Sequence, residues 1–256
     1  MVKPGCLFMH GRQRLAASAG AGLLACGLAL TPAFAGTSTR VAAPARSSYS
    51  FNKVTPNGLV RDLSGRHRYL HLEGHWRRVA GANGKLDAVR FMPRSMGDIP
   101  KSAELVPGRR RFAVAMTVKI NKLVGPSTAH LSQLGFYKDA GRWKVEVHPG
   151  SGRVGCTFKG TLGQASVKSR RSIADGSFHL VVCFKIGGKI GVRVDQAKGH
   201  AVHRPVGRIL NNRTIRVGNK SMRTTAVQLH GVVDYFAVAV GPHPIARATA
   251  GAPTIP

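Results

Sequence analysis

The chain has 256 residues, enough for one sizeable domain or two small ones, with 39 Lys and Arg against 10 Asp and Glu and a formal net charge of +29. Such an excess predicts affinity for polyanions and excludes a merely well-solvated surface, which would mix both signs. No stretch after the N-terminal region approaches the roughly 18 apolar residues of a membrane span, so no transmembrane segment is expected.

Residues 1–35 are predicted to be a secretory signal peptide. Three basic residues and no acid precede an apolar run of small residues, and Ala33-Phe34-Ala35 has the small-x-small pattern of a cleavage site. A lipidated Cys26 is the open alternative, which the apolar residues after it disfavour. We therefore expect cleavage after Ala35 and a secreted, extracellular protein.

The mature chain is predicted to consist of a leader, one β-rich domain and a tail. Residues 36–48 are small and polar and predict a flexible leader, and residues 243–256 have no periodicity and predict a mobile tail. Between them, in 49–242, short alternating runs are separated by Gly, Asn, Asp and Pro, without a convincing helical period. The clearest runs are RFAVAMTVKI, WKVEVH, VGCTFKG, FHLVVCFKI, IGVRVD, TIRVG and VVDYFAVAVG. Many short strands joined by turns favour a β-sandwich or barrel.

The stretch ADGSFHLVVCF contains the residue types of a catalytic triad in Asp175, Ser177 and His179. On a strand, however, Ser177 and His179 lie about 6.6 Å apart, whereas a nucleophile and its base need about 2.6–3.2 Å. The pattern therefore predicts a turn at Asp175-Gly176 and a central strand starting at Ser177.

Two of the four cysteines, Cys156 and Cys183, remain after the signal peptide is removed. An even pair in an oxidising compartment predicts a disulfide. A metal site would need more soft ligands at a recognisable spacing.

The order and spacing of several segments resemble those of secreted bacterial laminin G-like domains, in the concanavalin A-like lectin/glucanase superfamily. These segments are YSFNKV, LVRDLSG, LHLEGHW, LDAVRFMP, HLSQLGFYKDAGRWKVEV, GCTFKG, ADGSFHLVVCFKIGGKIGVRVD, ILNNRTIRVGNKS and LHGVVDYFAV, from Tyr49 to Gly241. The resemblance implies an all-β jelly-roll sandwich of two antiparallel sheets. The chain departs from the family at Phe178, where members often have Trp, and at Gln196 and Tyr235, which replace a Gly and an acid.

The superfamily includes glucanases, whose chemistry needs a pair of catalytic acids. None of this chain's acids has a second acid two residues away, the usual pattern of strand-borne glucanase sites. We expect no enzymatic activity, although a pair from distant strands stays open. Some laminin G-like domains hold calcium, and Asp62 and Asp234 are the candidate ligands; the alternative is that Asp62 caps a turn and Asp234 binds backbone. No other cofactor is expected.

Carbohydrate binding is the usual expectation for this fold, and sugars stack on exposed aromatic rings. Trp76 and Tyr137 are the candidates for exposure, whereas Trp143 alternates with valines and is predicted to lie in the core.

The basic clusters GRHR (65–68), WRR (76–78), GRRR (108–111) and KSRR (168–171) contain no acid. They predict an anionic partner. The candidate ligand-binding cations are Arg77, Arg78, Arg109, Arg110, Arg111, Lys168, Arg170 and Arg171.

The sequence thus favours a non-catalytic module that binds anionic or neutral polysaccharides outside the cell or in its envelope. A structural or adhesive module that contacts an envelope protein is the main alternative, and a divergent glycan-cleaving enzyme is the third. Specific nucleic-acid binding is not expected, since no reading motif is present.

Overall fold

The computed structural model describes residues 44–121 and 127–255. The predicted signal peptide, 1–35, and the first part of the leader lie outside these residues. The described strands are β1 (Ala45–Ser50), β2 (Leu59–Val60), β3 (Leu70–Val79), β4 (Ala88–Ile99), β5 (Phe112–Ile120), β6 (Ala129–Leu134), β7 (Arg142–Val147), β8 (Arg153–Gly160), β9 (Gly163–Ser172), β10 (Phe178–Ile186), β11 (Lys189–Val194), β12 (His200–His203), β13 (Ile215–Val217) and β14 (Gly231–Val240). A short 3₁₀ helix, Ala103–Leu105, precedes β5, and helix α1, Pro244–Thr249, follows β14.

The strands pair antiparallel in two layers. The first layer has the order β12-β11-β10-β5-β14-β1, and the second has the order β2-β3-β4-β13-β6-β7-β8-β9. Strand β4 joins the layers, because Val89 and Arg90 pair with β14 while Gly97–Ile99 pair with β13. This nearly closed sandwich confirms the predicted jelly-roll class.

The core lies between the layers, where alternate residues of each strand point inward. Trp143 is fully buried, as its alternation predicted, and its ring centroid lies 5.4 Å from that of Phe112. Phe158 packs edge-on against Phe112 at 6.3 Å. Burying side chains of this size stabilises the fold by roughly 1.5–3 kcal/mol each.

The two layers are also linked covalently. Cys156 on β8 and Cys183 on β10 form a disulfide with Cα atoms 5.8 Å apart, and both side chains are buried. The predicted disulfide is therefore confirmed, and it ties a strand of the second layer to a strand of the first.

Both ends of the domain differ from the sequence prediction. Strand β1 begins at Ala45, inside the predicted leader, because its backbone pairs with β14, and its Ser47 and Ser48 are buried. The predicted tail contains α1, whose Ala248 is buried against the outer face of the first layer. Tyr235 donates a hydrogen bond from its hydroxyl to Ala248 O at 2.9 Å. Small residues on that face, such as Ala237, let the helix approach.

Of the helices in the described residues, neither has the length and apolar character that crossing a membrane requires.

Removing the disulfide should lower the stability of the protein, because the unfolded chain gains conformational entropy without the cross-link. Replacing both Cys156 and Cys183 with Ala frees a loop of 27 residues. The free energy of unfolding should fall by roughly 3–4 kcal/mol in chemical denaturation. A fall below about 1 kcal/mol would show that the unfolded chain retains this contact without the bond.

Candidate functional site

The stretch that begins at Asp175 is a turn fastened by a buried histidine. Gly176 has a φ of +82°, and Ser177 N–H donates to Asp175 Oδ1 at 2.9 Å. The Nε2 of His179 lies 3.0 Å from Asp175 Oδ1, and its Nδ1 lies 2.9 Å from Asp195 Oδ2. Hydrogen bonds from His179 and from Ser177 N–H hold the pKa of Asp175 below its usual value. Because carboxylates occupy both imidazole nitrogens, neither nitrogen is available to hydrogen-bond the hydroxyl of Ser177.

Asp62 joins β1 to the turn at residues 62–65, which follows β2. Its Oδ2 accepts from Ser47 Oγ at 2.9 Å, and its Oδ1 accepts from Ser48 N–H at 3.1 Å and from Ser64 N–H at 2.9 Å. Arg68 NH1 lies 4.0 Å from Oδ2. A carboxylate with three donors and a neighbouring guanidinium is poorly placed to hold calcium. Its contacts are those of the turn-capping alternative.

Asp234 lies beside a second acid, Asp87. It is buried, and its Oδ2 accepts from Ala82 N–H at 2.7 Å. A Cβ at Gly81 would collide with both Asp87 Oδ1 and Asp234 Oδ2, so the two carboxylates converge over this glycine. Burial, with the nearby charge of Asp87, raises the pKa of Asp234 to about 6. Calcium at Asp234 stays a prediction, and Asp87 rather than Asp62 is the neighbour that would share it.

His130, on β6, is another buried titratable group. Both of its ring nitrogens lack a hydrogen-bond partner among the described residues. Burial, with the positive charges of Lys144, Lys220 and Arg216, lowers the pKa of His130 to about 3. The imidazole is therefore neutral at physiological pH.

Two of the predicted basic clusters, GRHR and GRRR, meet around Glu104. Arg68 forms an ion pair with Glu104 Oε2, and Arg66 NH1 lies 3.8 Å from the same oxygen. Arg110 donates from NH2 to Glu104 O at 3.1 Å, and burial lowers the pKa of Arg110. Arg110 thus anchors the loop, and the exposed cations of its cluster are Arg109 and Arg111.

The cluster WRR lies on β3. Trp76, a candidate for exposure, is only partly exposed and packs against the core. Arg78 donates from NH2 to Asn52 O at 2.8 Å. Arg77 is exposed and pairs across strands with Arg90.

The cluster KSRR lies on β9, at the opposite edge of the second layer from β3. Lys168, Arg170 and Arg171 are exposed, and Arg171 NH1 lies 3.3 Å from Asp195 Oδ2. The structure therefore does not bring the four predicted clusters together on one surface.

Tyr137, at the turn between β6 and β7, is 75% exposed, as predicted. The guanidinium carbon of Arg142 lies 5.1 Å from its ring centroid, and Lys159 Nζ lies 5.9 Å from it. Lys159 Nζ also donates to Tyr137 O at 3.2 Å. The exposed ring is thus held among cations.

The same turn carries Phe136, whose ring centroid lies 5.2 Å from the guanidinium carbon of Arg213 and 5.0 Å from that of Arg216. Asp139 fastens this arrangement, because its Oδ2 accepts from Phe136 N–H at 2.8 Å and from Asn211 Nδ2 at 3.0 Å. Burial would raise the pKa of Asp139, but hydrogen bonds from Asn211, Phe136 N–H and Arg213 outweigh burial and lower it. We call the following residues the aromatic–cation cluster: Phe136, Tyr137, Arg142, Lys159, Arg213 and Arg216.

A groove adjoins this cluster. One wall is the segment Leu210–Arg213, and the other consists of Lys101, Ser102, Ala103 and Val106, around the 3₁₀ helix. The groove has a volume of about 710 Å³. A second hollow of about 370 Å³ lies on the other side of Leu210–Arg213.

Glycine allows this wall to reach the turn between β6 and β7. A Cβ at Gly141 would collide with the backbone of Leu210. Asn211 Nδ2 also donates to Gly141 O at 2.5 Å. Segments far apart in the chain therefore build the groove, and the basic clusters singled out from the sequence did not include it. The motif NNR at 211–213 is the one local signal that could have indicated it.

The sequence matches no protein-family model and no curated protein. Its fold, however, is similar to that of many solved structures. One is domain 4 of AbnA, an extracellular arabinanase from Geobacillus stearothermophilus, in complex with arabinotriose, with a TM-score of 0.58, 14% identity, and coverage of 79% of this chain and 95% of that one.

A second is botulinum neurotoxin type C, whose cell entry depends on interaction with two ganglioside molecules (TM-score 0.56, 14% identity, 75% of this chain and 46% of that one). A third is domains LG4-5 of the mouse laminin alpha1 chain (TM-score 0.50, 16% identity, 64% and 44%). The chain spans about half the length of the neurotoxin and laminin structures. At these identities the likeness shows the fold alone, which is that of jelly-roll, laminin G-like domains.

Asp234→Asn should stabilise the protein at neutral pH. The pKa of Asp234 in the folded protein is raised to about 6, whereas its pKa in the unfolded chain is about 4. The protonated carboxyl therefore contributes most to stability below about pH 4, and this contribution is lost as the pH rises through about 6. The amide can keep the bond from Ala82 N–H and donate to Asp87 Oδ1, which has no partner among the described residues. We expect a gain of about 1–2 kcal/mol in the free energy of unfolding at pH 7.5.

The matched control is Asp139→Asn, which should destabilise at the same pH because the pKa of Asp139 is lowered. Loss of stability in Asp234→Asn would contradict the argument. If Asp234 holds calcium, millimolar calcium should stabilise the wild type and not Asp234→Asn.

His130→Leu should flatten the acid limb of the stability curve. The pKa of His130 is lowered to about 3, so its contribution is complete above its unfolded pKa of about 6.5 and is lost as the pH falls through about 3. The slope of unfolding free energy against pH should decrease by up to about 1.4 kcal/mol per pH unit within this window. The exposed His230→Leu is the control, and equal slopes for the two variants would disprove the assignment.

Proposed function

We propose that this protein is an exported, non-catalytic module that binds glycans, preferentially anionic polysaccharides of the envelope or the extracellular space. The observation that carries the proposal is Tyr137, an exposed ring whose centroid lies 5.1 Å from the guanidinium carbon of the buried Arg142 and 5.9 Å from Lys159 Nζ, in the cluster that shares Arg213 with the groove. Sugar rings stack on exposed aromatic faces, and the adjacent cations attract carboxylate or sulfate groups.

The acids support a binding role rather than glycan cleavage. A glycosidase places two carboxyl groups on either side of the scissile bond. Asp87 and Asp234 are the acids that distant segments bring together, yet Asp234 is only 4% exposed, so a glycosidic bond has no access to it. Asp175 and Asp195 both contact the imidazole of His179, so this ring, and not a glycosidic bond, lies between the two carboxylates.

Export is supported by the predicted signal peptide and by the disulfide between the layers, because such bonds persist in oxidising compartments. Glycan binding is further supported by the similar folds, which include an arabinanase domain in complex with arabinotriose and a neurotoxin that interacts with gangliosides.

The proposal predicts binding that depends on both charge and Tyr137. The Debye length shrinks from about 10 Å at 0.1 M salt to about 3 Å at 1 M, so affinity for an anionic polysaccharide should fall about tenfold or more over this range. Tyr137→Ala should weaken binding at every salt concentration. A glycan array followed by titration calorimetry measures both effects.

Tyr69→Ala is the matched control, since Tyr69 is also exposed but lies outside the aromatic–cation cluster. The double variant Arg109→Gln, Arg111→Gln and the triple variant Lys168→Gln, Arg170→Gln, Arg171→Gln report whether those clusters also contact the polymer. Tight binding to a neutral glycan that does not change with salt would show that the charge is incidental. Capture of an envelope protein without any glycan binding would instead support the adhesive alternative.

A further inference from the structure

The groove beside the aromatic–cation cluster has the chemistry of a site for a sugar chain. Its apolar surface comes from Ala103, Val106 and Leu210, and Leu210 is 47% exposed. A large side chain exposed to this extent in a concave surface is available to pack against the C–H groups of a sugar ring. The volume, about 710 Å³, lies within the range of roughly 300–1,000 Å³ that ligand sites occupy.

Polar groups of the right kind lie along the same groove. Ser102 and Asn212 present a hydroxyl and an amide, which can both donate to and accept from sugar hydroxyls. Asn211 uses its Nδ2 on Asp139 and Gly141, whereas Asn212 is exposed.

The charge of the groove has one sign. Lys101 and Arg213 line it, and no acid is among the described residues that do so. Lys101 is exposed. Arg213 is fixed in place, because its Nε and NH2 donate to Asp139 at 3.3 and 3.4 Å, and a guanidinium has further donors to offer an anion.

These features discriminate between classes of anion. Single-stranded nucleic acid is held by stacking of its bases on aromatic side chains, and the described residues that line the groove include no aromatic one. A linear acidic peptide would satisfy the cations and could bond the hydroxyl and amide groups through its backbone, but acidic side chains offer no ring to pack on the apolar strip. An acidic sugar uses all three kinds of group.

We infer that this groove binds an acidic oligosaccharide, with the carboxylate or sulfate groups of its sugars on Lys101 and Arg213, a sugar ring on Leu210 and hydroxyls on Asn212. This inference rests on the proposed function and deepens it by naming the subsite and the class of sugar. Tyr137 lies outside the groove and contacts the continuation of the same chain.

The test uses hexasaccharides of hyaluronan, chondroitin sulfate, alginate and polygalacturonate, together with methyl-esterified polygalacturonate hexamer and hexaglutamate. Titration calorimetry compares the mature wild type with Lys101→Glu and Asn212→Ala. The matched control is Lys53→Glu, since Lys53 is exposed and does not line the groove. Circular dichroism and thermal unfolding of each variant establish that it is folded.

We expect at least one acidic hexasaccharide to bind more tightly than hexaglutamate. Loss of a charge-assisted contact should weaken that binding about tenfold or more in Lys101→Glu. Asn212→Ala should weaken it without changing its salt dependence, and Lys53→Glu should change it less than about twofold, as expected for an exposed charge that does not line the groove.

The binding data distinguish failure of the groove assignment from failure of the proposed function. If the wild type binds acidic hexasaccharides and both groove variants bind them equally well, the groove assignment is overturned while the proposed function stands. If hexaglutamate or the methyl ester binds as tightly as the acidic sugars, the assigned ligand class is overturned. If no glycan of any kind binds to the wild type, the proposed function itself fails.

Discussion

The chain carries 39 Lys and Arg but only ten carboxylates. The hydrogen bonds and ion pairs of those few acids hold several of its strands and turns in place, and the rest of the structure depends on them. Asp62 holds β1 to the turn after β2, Asp139 fixes the turn between β6 and β7, and Asp195 joins the buried His179 to the backbone of Leu180. Each acid accepts several hydrogen bonds at the end of a strand. Because the acids are few, most Lys and Arg among the described residues have no carboxylate within ion-pair distance.

The same scarcity explains how the candidate site is built. Asp139 binds Asn211 and Arg213, and through them it positions one wall of the groove beside Phe136. A single acid thereby orients a guanidinium without cancelling the positive potential of its surroundings. The aromatic rings contribute in a complementary way, since they hold cations at 5.0–5.9 Å without neutralising them.

Single residues show which parts of the fold and of the candidate site the sequence could predict. The alternation of Trp143 with valines placed it correctly in the core, and turn residues around Tyr137 indicated its exposure. The neighbouring arginines made Trp76 a candidate for exposure as well, but its ring packs against the core, a contact that the local sequence does not show. The sequence prediction also missed β1 and α1, whose small residues give no hydrophobic period. Their order comes from strand pairing and from packing on an alanine-rich face.

The sequence by itself determined the all-β class, the disulfide between Cys156 and Cys183, and the excess of positive charge, because alternation, cysteine count and composition are local or global properties of the chain. Only the tertiary structure decided which of those charges line a groove. The groove joins the segment around Ala103 to Leu210–Arg213, and the acid pair joins Asp87 to Asp234. These segments are distant in the chain, and only the pairing of strands between them brings their side chains within contact distance.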